Sequence, residues 1–233
     1  MLSVSVQSVP LSPAETFDRK PAVSLIRGLL GSEAPQAGPA PEERGVVVDL
    51  GLCSLADFLG IIGPSDRPGV IHLVSPHLEG TIHLLGDGRF VARAGALRGI
   101  DAMVALLQPE RGSIRYRQSP AEPPAGEPLA VQDALLQQAW IHDELLHRNG
   151  SVPDDDDLVA AEPEALPPAA HEEAGLPLRR LFDLVASGPP IRVAELARAG
   201  ICAPQRLRLA LARLIESGRL VRQLPGPGAQ RSR

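Results

Sequence analysis

Gly86-Asp87-Gly88 stands between two apolar-rich runs, and this stretch limits the fold more than any other. A glycine-bearing turn flanked by such runs is a strong local signal for a β-hairpin. Residues 80–117 around it read as strand, turn, strand, helix, strand. Strands are expected over Gly80 to Leu85 and Arg89 to Ala94. A helix follows over Leu97 to Gln108, with Ile100, Met103, Val104 and Leu107 on one face and Pro109 as its stop. Gly112 to Gln118 makes the last strand. Upstream lie a short β-type run, Val46 to Leu50, and a further strand over Gly69 to Val74. Ser54 and Asp57 have the spacing of a helix start, in which each side chain satisfies a free backbone N–H. Leu55, Phe58, Leu59 and Ile62 then recur at helical spacing and predict one buried stripe.

The rest of the chain divides by composition. Residues 1–44 are rich in Ser, Pro, Ala and Gly and read as a disordered tail, with one apolar patch from Ala22 to Leu30. The first domain spans 45–148. It ends in a long helix from about Leu129 to Arg148, whose apolar residues cover more than one face. Such a helix needs a partner surface, and Leu135, Leu136, Trp140 and Leu145 are assigned to a dimer or partner contact. Residues 149–175 read as an acidic, Pro- and Ala-rich linker, residues 176–223 as a second small domain, and residues 224–233 as a basic disordered tail.

Charge is distributed unevenly. The net charge is −5, yet residues 150–175 carry eight acids and no Lys or Arg, whereas residues 176–233 carry eleven arginines against Asp183, Glu195 and Glu216. A net −8 segment beside a net +8 segment predicts that the first competes with DNA for the arginines of the second. Lys20 is the only lysine among 23 basic residues, which the codon usage of a GC-rich bacterial genome explains. Cys53 and Cys202 lie in different domains and form neither a metal spacing nor a disulfide framework. With no signal peptide and no apolar run of membrane-spanning length, a cytoplasmic protein is expected.

Enzymatic constellations are not found. There is no Gly-Lys-Ser/Thr phosphate loop, no dinucleotide fingerprint, no G-x-S-x-G and no H-E-x-x-H. His72 and His83 face each other across the first hairpin if Val74 pairs with Thr81. His77 on the connecting loop and Glu79 are the further candidate ligands there, and two surface histidines are the preferred reading. The run Asp154 to Asp157 lacks the alternating ligands and glycine of a calcium loop. No catalytic residue, metal or cofactor is assigned.

Two resemblances complete the reading. Ser54-Leu55-Ala56-Asp57-Phe58-Leu59, Gly80-Thr81-Ile82, Gly86-Asp87-Gly88-Arg89-Phe90-Val91, Gly99-Ile100-Asp101-Ala102, Gly112-Ser113-Ile114-Arg115-Tyr116 and His142-Asp143-Glu144-Leu145 resemble the PATAN (PatA N-terminal-like) domain over residues 46–147. Ala92 and Arg93 depart from it, standing where a His-Ala pair is frequent. The resemblance implies a non-enzymatic protein-interaction module of bacterial signalling systems. Val193 to Gly200, Leu207 to Leu214 and Glu216-Ser217-Gly218-Arg219-Leu220-Val221 resemble a winged helix over residues 176–223. A DNA-binding winged helix would lay its third helix in the major groove. Gln205, Arg206, Arg208 and Arg213 would then be available to DNA, with Arg219 and Arg222 near phosphates.

The expected fold class is therefore α+β. It comprises a small antiparallel β-meander domain covered by helices, a long helix, an acidic linker and a small winged-helix-like α(+β) domain. Two functions remain open. One is a signalling regulator, homodimeric, whose winged helix binds DNA. The other is a protein-only adaptor of a two-component, small-GTPase or motility system.

Overall fold

The computed structural model describes residues 45–63, 67–118, 122–148, 150–169 and 175–223. The expected tails 1–44 and 224–233, with the Ala22–Leu30 patch, lie outside the described residues. The fold is mixed α/β, with antiparallel pairing in both of its sheets and six helices among the described residues. The chain divides into two compact units, residues 1–135 and 136–233.

In the first unit, β1 (Gly45–Asp49), α1 (Leu55–Ile62), β2 (Gly69–Val74), β3 (Glu79–Leu84), β4 (Arg89–Ala94), β5 (Leu97–Arg98), α2 (Gly99–Leu106), β6 (Ser113–Gln118) and β7 (Leu129–Ala130) follow in order. The sheet order is β1-β6-β2-β3-β4-β5, with β7 beside β4. Thus β2-β3-β4 form the expected meander, while β6 returns to the far side of β2 and pairs there with β1. Residues directly opposite in an antiparallel pair share a face, so the register fixes what each face presents. One face carries Val46, Tyr116, Ile71, Ile82 and Ala92 in one row and Val48, Ile114, Leu73, Gly80 and Ala94 in the next. This face forms the core together with Phe58, Leu59, Ile62, Met103 and Leu106.

Local chemistry explains the elements. Ser54 caps α1: its Oγ accepts from the Asp57 N–H at 3.1 Å and donates to Asp57 Oδ2 at 2.7 Å. The stripe Leu55, Phe58, Leu59 and Ile62 is buried, as its spacing requires. At the β3–β4 turn, Gly86 and Gly88 take φ of 86° and 74°, a region that glycine enters without cost. Asp87 closes the turn through its carboxylate, which accepts from the Arg89 N–H and Nε. The Gly88 carbonyl accepts from the Val131 N–H at 2.9 Å, anchoring the start of α3 (Val131–His147) on the hairpin.

The second unit contains residues 136–147 of α3, then β8 (Leu158–Ala161), α4 (Leu178–Ala186), β9 (Ile191–Arg192), α5 (Val193–Arg198), α6 (Pro204–Glu216) and β10 (Leu220–Gln223). The stripe Leu178, Leu181, Phe182 and Val185 of α4 is buried. Pro204 stands in the first turn of α6, where its missing N–H costs nothing.

The acidic segment is not a solvated linker throughout. Residues 158–161 form the central strand of a three-stranded sheet, paired with β10 on one side and β9 on the other. Val159 is fully buried, and Asp157 is 3 % exposed. The surrounding prolines and acids conceal a four-residue apolar run, Leu158-Val159-Ala160-Ala161. The acids before it are drawn into the fold by arginines of the same unit. The division between the two compact units falls at Leu135/Leu136, inside α3.

Candidate functional site

In the second unit, the residues before β8 form a loop laid against basic side chains. Asp155 accepts from Arg208 Nη2 at 2.8 Å. Asp157 Oδ2 lies 2.7 Å from Arg222 Nε, an ion-pair distance without the alignment of a hydrogen bond. Asp154 and Asp156 stand 3.6 Å from Arg222 and 3.8 Å from Arg192. Two backbone bonds fix the loop to the start of α5: Val193 N–H to Asp157 O and Ala194 N–H to Asp155 O, both 3.0 Å. Asp157 also accepts from the Asp154 N–H at 2.6 Å.

A second network joins residues of α3 to α6. Arg213 lies over the Trp140 ring, 5.2 Å from its centroid, a cation–π arrangement. Arg148 Nε pairs with Glu144 at 2.9 Å, and its Nη1 reaches Glu216. Arg213 lies 3.6 Å from Glu144. The hydrogen bond from Arg148 lowers Glu144 from its ordinary carboxylate value, burial opposes this, and the Arg148 and Arg213 charges lower it further.

The six residues assigned to DNA are therefore placed as follows. Arg206 is 6 % exposed, and its Nη2 donates to the Gly175 carbonyl, so it lies inside the unit rather than at a groove. Gln205 is half-buried. Arg208 and Arg222 are paired with the acidic loop, and Arg213 is stacked on Trp140. Arg219 Nε donates to the Leu166 carbonyl at 3.1 Å. Of the thirteen residues of α6, Pro204 and Glu216 are exposed and the others buried or half-buried, with the Arg208 side chain 42 % exposed.

The four residues assigned to a dimer contact do not share an exposed face. Leu135 packs against the first core, Trp140 lies under Arg213, and Leu145 is half-buried. Leu136 alone of the four is fully exposed, at 69 %.

In the first unit, the sheet face turned away from the core carries a row that sequence reasoning missed. Val47, Arg115, His72, Thr81, Arg93 and Arg98 lie side by side on successive strands. The next row carries Arg117, Val70, His83 and Val91. Val74 pairs with Glu79, so the register differs by two residues from that needed for His72 to face His83 directly. The two histidines remain on one face as diagonal neighbours. Alternation within each strand could have shown that these residues avoid the core. Joining β6 to β2 could not be read from sequence, because the two strands are far apart in the chain.

Burial holds His83 below the ordinary histidine value, and His72 and the Arg93 cation lower it further. The neutral ring is thus favoured by folding, a contribution complete above about pH 6.5 and lost as pH falls below it. The thermal midpoint is expected to drop between neutral pH and about pH 5, and to drop less in His83→Gln. Equal drops in the two proteins would remove His83 from the acid sensitivity.

No group of three or more metal-ligating side chains is assembled among the described residues, and no helix there is long and apolar enough to cross a membrane. Comparison with protein-family models, curated proteins and solved structures finds no match.

Proposed function

We propose that this chain is a non-enzymatic bacterial signalling protein, a PATAN-like interaction unit coupled to a winged-helix-like unit that docks on protein rather than DNA. The observation that carries the choice is the cover on α6. A helix that reads base edges needs a solvent-facing side for the major groove. Here most of α6 is covered, the Arg208 side chain being 42 % exposed, and Arg206, Arg208 and Arg213 are held by a carbonyl, a carboxylate and an indole. Phosphate neutralisation would have to compete with these contacts, weakening the electrostatic term that dominates DNA affinity.

Affinity capture of the full chain from its native cells, with and without nuclease, tests this reading. Specific proteins should be retained equally in both. Capture that disappears on nuclease treatment would reverse the choice.

One observation favours a second reading. The loop 154–157 lies on Arg192, Arg208 and Arg222, as a displaceable cover over a DNA-binding face would. On that reading DNA binding appears once the loop's charge is removed.

A further inference from the structure

Arg148, Arg192, Arg208 and Arg222 of the second unit lie against carboxylates of that unit, whereas, among the described residues, Arg93, Arg98 and Arg115 of the first sheet do not. On the sheet face turned from the core, Arg115, His72, Thr81, Arg93 and Arg98 stand in one row, and the row beside it, with Val70, His83 and Val91, is covered in part by the 122–128 segment. No ion pair joins Arg93, Arg98 or Arg115 to a carboxylate among the described residues. Arg93 is steered by the Ala125 carbonyl at 3.1 Å, and Arg98 by those of Gly95 and Leu97 at 2.7 and 2.8 Å. Carbonyls orient a guanidinium without neutralising it. Arg93 Nε and His83 Nδ1 are themselves buried, where the 122–128 segment lies against this face at Arg93 and Val91, so the guanidinium ends of Arg93, Arg98 and Arg115 are what the face offers.

The acids that the strands themselves carry on this face, Asp49 and Glu79, stand two residues further along, in the row of Ser113 and Val74. Exposed Val47 and Val74, at 64 % and 41 %, add apolar area. Arginines interleaved with exposed apolar side chains are the composition of a protein interface.

We infer that this face docks an extended acidic segment of a partner protein. The inference rests on the protein-interaction reading above and names the partner's chemistry. Strands lie about 4.8 Å apart, so Arg115 to Arg98, four strands away, spans roughly 19 Å. An extended peptide places same-side residues about 6.8 Å apart. Carboxylates at alternate positions therefore match the row along its length, and each suits the planar fork of an arginine. Single-stranded nucleic acid is the lesser fit, because it needs aromatic stacking platforms. Among the described residues of this unit the aromatic side chains, Phe58, Phe90 and Tyr116, belong to the core.

The test is fluorescence polarisation of the full chain with a labelled peptide of alternating glutamate and serine, across a salt series. The expected result is binding that weakens with salt and falls about tenfold or more in Arg98→Glu with Arg115→Glu, through lost pairs and added repulsion. Arg180→Glu on exposed α4 should leave it unchanged, and melting curves confirm that each variant folds. Absence of binding by the wild-type chain, or binding unchanged in the double variant, overturns the inference. So does tighter binding of single-stranded DNA of equal charge that the double variant abolishes. The two readings fail separately. Unchanged peptide binding in the double variant removes this face alone, whereas nuclease-sensitive capture removes the protein-interaction reading.

Discussion

Asp157→Ala is expected to destabilise the second unit by about 3 kcal/mol, the cost of breaking a buried ion pair from one side. Asp157 is almost wholly buried and stands 2.7 Å from Arg222, whose side chain is itself mostly covered. Alanine would leave that cation without its nearest carboxylate and the Asp154 N–H without its acceptor. The Asp157 carbonyl also receives the Val193 N–H at the start of α5, so loosening the loop loosens the seam between β8, β9 and α5. Folded domains have only about 5–15 kcal/mol in total, so the loss should be plain in a urea titration. Asp156→Ala is the matched control. Its side chain is exposed and 3.8 Å from Arg192, and exposed pairs contribute about 0–1 kcal/mol. Similar small losses in both variants would return the acidic segment to the status of a solvated linker.

Gly112→Val is expected to cost the first unit about 3 kcal/mol or more, from backbone strain and overpacking together. Gly112 takes a φ of 133°, a conformation that side chains rarely adopt. A Cβ there would overlap the Val74 carbonyl oxygen and come within 2.9 Å of Ser75 Cα. Both are backbone atoms, so no rotamer change relieves the overlap. The Gly112 carbonyl also accepts from the Leu50 N–H at 3.0 Å, tying the start of β6 to the end of β1. Any shift of residue 112 would therefore disturb both neighbours of β6. Gly60→Ala serves as a control, because a Cβ there meets nothing within 4 Å and alanine is the better helix former. Equal unfolding midpoints for Gly112→Val and the wild type would show that the tight approach of β6 to β2 does not exist.

Local pattern accounts for what was readable in the chain. The Ser54 cap, the stripes of α1 and α4, the Gly86-Asp87-Gly88 turn and Pro204 at the start of α6 each depend on residues a few positions apart. Long-range pairing was not readable. β6 inserts between β1 and β2, and β8 inserts between β9 and β10. Neither insertion leaves a local trace, since a strand's own pattern names no neighbour. The acidic segment shows the consequence: four carboxylates in a row read as solvated until Arg192, Arg208 and Arg222 are brought to them. The same limit explains why the arginines of α6 read as a nucleic-acid surface. Their number was visible, but their carbonyl, carboxylate and indole contacts were not. On the first sheet the limit worked in the opposite direction, and a cationic row assembled from five strands escaped notice.

The most direct measurement is a fluorescence anisotropy titration of random-sequence duplex DNA with the full chain, from low to physiological salt. It is run in parallel on Asp154→Asn with Asp155→Asn and Asp156→Asn, exposed acids whose replacement leaves Asp157 in place. The expected result is no saturable binding by either protein at any salt concentration. Binding by the wild-type chain that tightens as salt falls and weakens in Arg208→Ala would contradict the protein-docking role of the second unit. Binding gained only by the triple variant would establish the acidic loop as a cover over a DNA-binding face.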